Sequence, residues 1–183
     1  MMRIITGSAR GLILKTLDGE ATRPTAERVK EAVFSKIQFD IEDRSVLDLF
    51  SGSGQLALEA LSRGARKAVL IDNSPEAIKI INENATKTKL NDRCQIYSGN
   101  ALDFIRRSNG EKFDIIFLDP PYASKLYSPI LNALHTSNML KPSTILICES
   151  DYDFLDDDLL AKYEIVNKSQ YGRIIINILK PVL

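Results

Sequence analysis

The sequence predicts an α/β fold: a mostly parallel sheet of seven strands with a C-terminal antiparallel hairpin, preceded by an N-terminal β-hairpin arm and a helix. Three observations carry this expectation. From Ser45 onward, short apolar runs alternate with amphipathic stretches, the rhythm of strands buried on both faces by helices. The last two extended runs lie too close together for a helical crossover, so they pair antiparallel. Before Ser45 the rhythm is different, with short extended pieces broken by glycines and then one helical stretch.

In chain order, residues 3–6 and 12–14 flank Gly7-Ser8-Ala9-Arg10-Gly11 and read as the two sides of a hairpin. Over residues 23–37, Val29, Ala32, Val33 and Ile37 recur at helical spacing, and Thr25 suits an N-cap. Residues 46–50 form the first strand of the parallel region and residues 56–62 its helix. Residues 68–72 form the second strand, and the next helix starts at Pro75, a residue whose fixed φ and missing N–H fit a first turn. Residues 95–97 are the third strand, followed by a helix carrying Leu102 and Ile105. The fourth strand spans 113–119 with a helix over 126–137, and the fifth spans 144–149. Residues 163–166 and 174–179 make the terminal hairpin.

The chain divides by this reading into residues 1–38, a basic arm and helix, and residues 39–183, the α/β domain. Hydrophobic residues make up 44% of the 183 and charged residues 26%, which excludes a disordered or collagen-like chain. No apolar run approaches the ~18 residues of a membrane span, and the start lacks a signal-peptide core, so a cytoplasmic protein with no membrane partner is expected. Cys94 and Cys148 have no partner at metal spacing and read as buried free thiols. His135, the only histidine, reads as structural, and no metal is expected. Net charge is zero, but residues 1–37 carry seven basic side chains against four acidic ones, so a polyanion would bind there.

Between the first strand of the parallel region and its helix lies Asp48-Leu49-Phe50-Ser51-Gly52-Ser53-Gly54-Gln55-Leu56-Ala57, and Asp72 ends the next strand. The glycine spacing fits a nucleotide loop, and the acidic residue suits a ribose. A glycine turn of purely structural origin fits the same spacing. Asp48 discriminates between cofactors, because a carboxylate beside the loop would repel the pyrophosphate of NAD. It suits S-adenosylmethionine, which carries an ammonium and a sulfonium and no phosphate. Gly52 and Gly54 would admit the methionine part, Asp72 would accept from the ribose hydroxyls, and Asn100 would face the adenine. Phe50, Asn73 and Ala101 complete the expected cofactor set.

Asp119-Pro120-Pro121-Tyr122 ends the fourth strand and is the most specific signal in the chain. Strand C-termini line the ligand crevice of an open α/β sheet. The two prolines remove amide donors, leaving carbonyls and Asp119 as acceptors beside an aromatic ring. That combination suits a flat base with an exocyclic amine.

These residues resemble the class I S-adenosylmethionine-dependent amino-methyltransferases, a Rossmann-like fold, whose sites carry an Asp/Asn-Pro-Pro-aromatic motif. More narrowly the chain is similar to the RsmD family, which methylates the N2 amine of a guanine in 16S ribosomal RNA. The resemblance rests on the Arg3-Ile4-Ile5-Thr6-Gly7 start, Arg23-Pro24-Thr25 with Arg28-Val29-Lys30-Glu31, the 48–54 loop, 58–65, and the 119–122 tetrapeptide. Ser51 stands where the family's alanine is expected, Gln55 replaces a small residue, and Asn100 replaces an acidic one. The resemblance implies Asp119, Pro120, Pro121 and Tyr122 at the reacting amine, with RNA or an assembling small ribosomal subunit as partner and a monomeric enzyme. Arg3, Arg10, Arg23, Arg28 and Lys30 are the expected RNA contacts, Arg23 having the cofactor carboxylate as an alternative. Three other readings stand beside it: an amine methyltransferase acting on DNA adenine or protein glutamine, a nicotinamide oxidoreductase, and a non-catalytic RNA-binding assembly factor.

Overall fold

A computed structural model describes residues 2–17, 24–108, 110–121 and 124–183, and of residues 24–26 the backbone only. Seven strands form one sheet in the order β3-β2-β1-β4-β5-β7-β6. They are β1 (Ser45–Asp48), β2 (Lys67–Asp72), β3 (Cys94–Ser98), β4 (Ile115–Leu118), β5 (Ile145–Ser150), β6 (Tyr163–Tyr171) and β7 (Ile174–Pro181). The first five are parallel, and β7 pairs antiparallel with both β5 and β6. The helices are α1 (Pro24–Lys36), α2 (Gln55–Ser62), α3 (Pro75–Lys87), α4 (Ala101–Arg106), α5 (Tyr127–Thr136) and α6 (Asp157–Leu160).

Alternation along the central strands divides the core into two layers, as period-2 side chains require. Val46, Ala68, Leu70, Ile115, Phe117, Ile145 and Ile147 face α1, α2 and α3. Leu47, Val69, Ile71, Ile116, Leu118, Leu146 and Cys148 face α4, α5 and α6. Strand order reverses between β1 and β4, so the C-terminal ends of these two strands diverge into a crevice.

The N-terminal segment differs from the expected arm in two ways. Its ladder is a single antiparallel bridge, Arg3 to Ile13, supported by Ile4 N–H donating to Leu12 O (3.0 Å) and Leu14 N–H to Met2 O (2.9 Å). It also does not project: Met2, Ile4, Ala9 and Leu14 are buried in the layer that holds α1 and α2. Gly7 makes this docking possible, because a Cβ there would lie 1.8 Å from the Ser62 carbonyl oxygen and its φ is +92°.

Elsewhere the boundaries shift for local reasons. Helix α1 starts at Pro24, which places Thr25 inside its first turn and not at the N-cap position. β6 runs on through polar Asn167, Lys168 and Gln170, since an edge strand needs only one apolar face, and a bulge falls between Ile165 and Asn167. Part of the acidic stretch folds as α6, with Asp156 accepting from Leu159 N–H at 2.9 Å. Cys148 is buried and Cys94 half-buried, both free thiols. His135 packs its ring on Tyr163, and its Nε2 lies 2.9 Å from Val182 O.

Candidate active site

The glycine loop is built by the end of β1 and closed onto the end of β2. Ser51 N–H donates to Ile71 O (3.0 Å) and its hydroxyl to Asp48 O (2.9 Å). Gly52 N–H donates to one Asp72 carboxylate oxygen (2.8 Å), and Ser74 N–H to the other (2.9 Å). Asp72 is thereby held in place with acceptor capacity to spare. Gly54, at φ +79°, turns the chain into α2, where a Cβ would crowd Leu70 at 3.3 Å.

A cavity of about 410 Å³ opens at these strand ends. Phe50, Gly52, Asp72, Asn73, Asn100 and Ala101 line one half, and Asp119, Pro120 and Pro121 line the other. Asn100 caps α4 by accepting from Leu102 N–H (2.9 Å), which commits its oxygen and leaves its amide NH₂ as the donor suited to a ring nitrogen. Most of the residues chosen from sequence for cofactor and chemistry therefore share one space.

Two do not reach its wall. Gly54 sits behind the loop, and Asp48 lies beneath it at 1% exposure. Among the described residues, none donates a hydrogen bond to either Asp48 carboxylate oxygen. Loss of water is the largest influence on this group and raises its pKa, the charge on Asp72 adding to it. The amides of Phe50 and Ala57 and the Ser51 hydroxyl lie near enough to favour the ionised form but do not make well-aligned bonds, and the carboxyl is pushed up to about 7. Asp48 thus acts on the loop as a buried, unmatched acceptor and not as a direct contact.

Several residues that the sequence reading passed over complete the cavity. Its acceptor half is walled by Met2, Val29 and Val33 from the N-terminal layer, Phe117 and Ile147 from the sheet, and Ile174 and Ile176 from β7. Glu149, near the end of β5, is also in this wall. The buried Tyr127 hydroxyl lies within reach of the carbonyls of both Leu118 (3.3 Å) and Glu149 and donates to one at a time, tying the tips of β4 and β5 together. Its ring stacks on Phe154 at 3.9 Å. In the sequence Tyr127 reads only as one more apolar position on a helix.

Among the expected RNA contacts, Arg3, Arg10 and Arg28 are exposed, and Arg3 pairs with Glu27 at 2.8 Å. Lys30 is a correction. Its side chain is buried, donating to Arg3 O at 2.6 Å and standing 3.6 Å from Glu59, so it cannot meet a phosphate. Burial lowers its pKa, against the pull of Glu59. Glu59 is itself fully buried and accepts from the amides of Ile5 (2.8 Å) and Thr6 (3.1 Å) and from Arg63 Nε (2.8 Å). Arg23 and Tyr122 lie outside the described residues. Among the described residues no group of three or more His, Cys, Asp or Glu side chains could hold a metal, and no helix is long and apolar enough to cross a membrane.

The cavity's chemistry fits a sulfonium cofactor. Asp72 makes the loop end acidic, and among the described residues lining the cavity the one basic side chain, Lys30, is held by Arg3 O and Glu59 in the N-terminal layer and not at the loop, where a pyrophosphate would need it. Fold, crevice and charge together define a class I methyltransferase. The family model described as Conserved hypothetical protein 95 matches residues 2–180. Ribosomal RNA small subunit methyltransferase D of Haemophilus influenzae is 34% identical over 154 residues, covering 83% of this chain and 80% of its own. The protein of the same name from Escherichia coli is 34% identical over 152 residues, covering 83% and 76%. Among solved structures, yhhF of Escherichia coli, a candidate methyltransferase, superposes with a TM-score of 0.87 at 29% identity over 98% of this chain and 97% of its own. The chain belongs to this family, the RsmD family of S-adenosylmethionine-dependent methyltransferases.

Proposed function

We propose that this protein transfers the methyl group of S-adenosylmethionine to the exocyclic N2 amine of one guanine in small-subunit (16S) ribosomal RNA. The observation that carries the reading is the shared cavity, which joins the glycine loop and Asp72 at one end to Asp119, Pro120 and Pro121 at the other. The names of its relatives supply the RNA.

The cofactor supplies a methyl group activated on a sulfonium. The chain's own residues must then hold a weak nucleophile in line with it, since the lone pair of the guanine amine is delocalised into the ring. Asp119 and the Pro120 carbonyl accept its two N–H groups and favour a pyramidal nitrogen, and Tyr122 stacks on the base. Alignment is the larger part of the rate. The amine becomes strongly acidic only as it gains the methyl, so Asp119 or water takes the proton late and no strong base is needed beforehand.

The base must be unstacked to enter, which favours a loop or single-stranded site. Residues 1–38 present Arg3, Arg10, Arg23 and Arg28 to the RNA, and residues 39–183 hold the cofactor. The enzyme acts as a monomer in the cytoplasm, where small subunits assemble.

Nucleoside mass spectrometry tests the reading. Unmodified small-subunit RNA and partly assembled subunits, each treated with enzyme and S-adenosylmethionine, should yield N2-methylguanosine at one position. Methyl groups found on adenine N6 or on glutamine would contradict it.

A further inference from the structure

We infer that Glu149 reads the guanine, accepting the N1–H of the target base beside the N2 amine held by Asp119. The inference rests on the proposed guanine reaction and extends it to how that base is chosen.

Register places the two carboxylates together. Phe117 pairs with Ile147 and Leu118 with Cys148 across parallel strands, so Asp119 and Glu149 follow as the next level of neighbouring chains about 4.8 Å apart. Phe117 and Ile147 share the α1-facing layer, and residues two further along share that face by the strand period. Both carboxylates line the acceptor half of the cavity. Tyr127 fixes the two strand tips from behind through the Leu118 and Glu149 carbonyls.

A guanine presents N1–H and the N2 amine as adjacent donors, and a carboxylate only accepts. Two neighbouring carboxylates therefore match two neighbouring donors. Adenine turns a lone pair toward the same place, which sets an acceptor against an acceptor. The surroundings make that mismatch expensive, because Ile147, Ile174 and Ile176 are apolar, and Lys30, the basic residue in the same wall, is already committed to Arg3 O and Glu59.

The test separates specificity from catalysis with 2-aminopurine, which keeps the methyl-accepting amine but carries a lone pair at N1. The methylated guanine is located in unmodified small-subunit RNA and replaced by splinted ligation. Wild-type enzyme should prefer guanine over 2-aminopurine by about 10²-fold or more in kcat/KM, as a site built around a donor does. Glu149→Gln can donate to the N1 lone pair and should narrow that ratio at least about tenfold, with S-adenosylmethionine affinity and Tm near wild type. Glu149→Ala, which removes the acceptor, should narrow it in the same direction. A difference in intrinsic amine reactivity cancels between enzymes, and a merely structural role for Glu149 would lower both rates without moving the ratio.

An unaltered ratio in variants that bind S-adenosylmethionine would overturn the inference. So would a wild-type ratio below about threefold, which needs no variant at all. A wild-type enzyme that does not methylate guanine N2 would instead remove the parent reading, and this inference with it.

Discussion

Asp48 and Lys30 show what burial does to a charge that sequence alone assigns to a surface. Asp48 ends β1 with a carboxyl that has no hydrogen-bond partner among the described residues, and its folded pKa, about 7, lies above its ordinary value near 3.8. The folded protein therefore holds this proton longer than the unfolded chain. Between about pH 4 and pH 7 the native state binds more protons, so stability falls as pH rises through that window and levels off above it. At about 1.4 kcal/mol per pH unit, the group costs on the order of 4 kcal/mol at pH 8. Asp48→Asn should match wild type in urea melts near pH 4.5 and exceed it by a few kcal/mol at pH 8. Parallel stability profiles in the two proteins would show that Asp48 is not buried as a near-neutral acid.

Among the secondary-structure elements, the N-terminal segment is tied to α2 by Ser62, which bonds Thr6, Ser8 and Ala9, and both that segment and α1 are tied to it by the buried Glu59. It gathers the Ile5 and Thr6 amides, Arg63 and Lys30 around a carboxylate that water does not reach. Breaking such a cluster by removing one partner typically costs about 3–5 kcal/mol. Lys30→Met should lower stability by roughly this amount yet leave unchanged the slope of RNA affinity against salt. Arg10→Ala with Arg28→Ala should do the reverse: nearly wild-type melting, weaker RNA binding and a slope shallower by up to about 2, one for each phosphate that is no longer neutralised. A filter-binding salt titration of the two variants distinguishes them, and a flattened slope in Lys30→Met would contradict its place in the core. The same packing bears on residues 2–14. Because they bury Met2, Ile4, Ala9 and Leu14, their removal would open the core as well as affect RNA binding.

Over the full chain, the sheet is legible in the sequence because its central strands β1, β2, β4 and β5 are apolar on both faces and its helices carry a one-sided stripe. The terminal hairpin is legible from its short connection. What stays hidden are features set by tertiary contact. A basic residue with helical neighbours reads as a surface contact, and only the approach of Glu59 from α2 turns Lys30 inward. Glu149 reads as the last residue of an ordinary strand until the register puts it beside Asp119. The local motifs at 48–54 and 119–121 need no such help, since each lies at a strand end where an open α/β sheet binds its ligands.

Methyl transfer as proposed depends on one cavity that holds the cofactor at the loop and the amine at Asp119. Its most direct test is single-turnover methylation by Asp119→Ala with saturating RNA and S-adenosylmethionine, run beside calorimetric titration of the cofactor and a melting curve. The variant should fold and bind S-adenosylmethionine within about twofold of wild type, while its methyl-transfer rate falls by about 10²-fold or more, as loss of one transition-state partner predicts. A folded Asp119→Ala protein that binds cofactor and transfers methyl at the wild-type rate would contradict it.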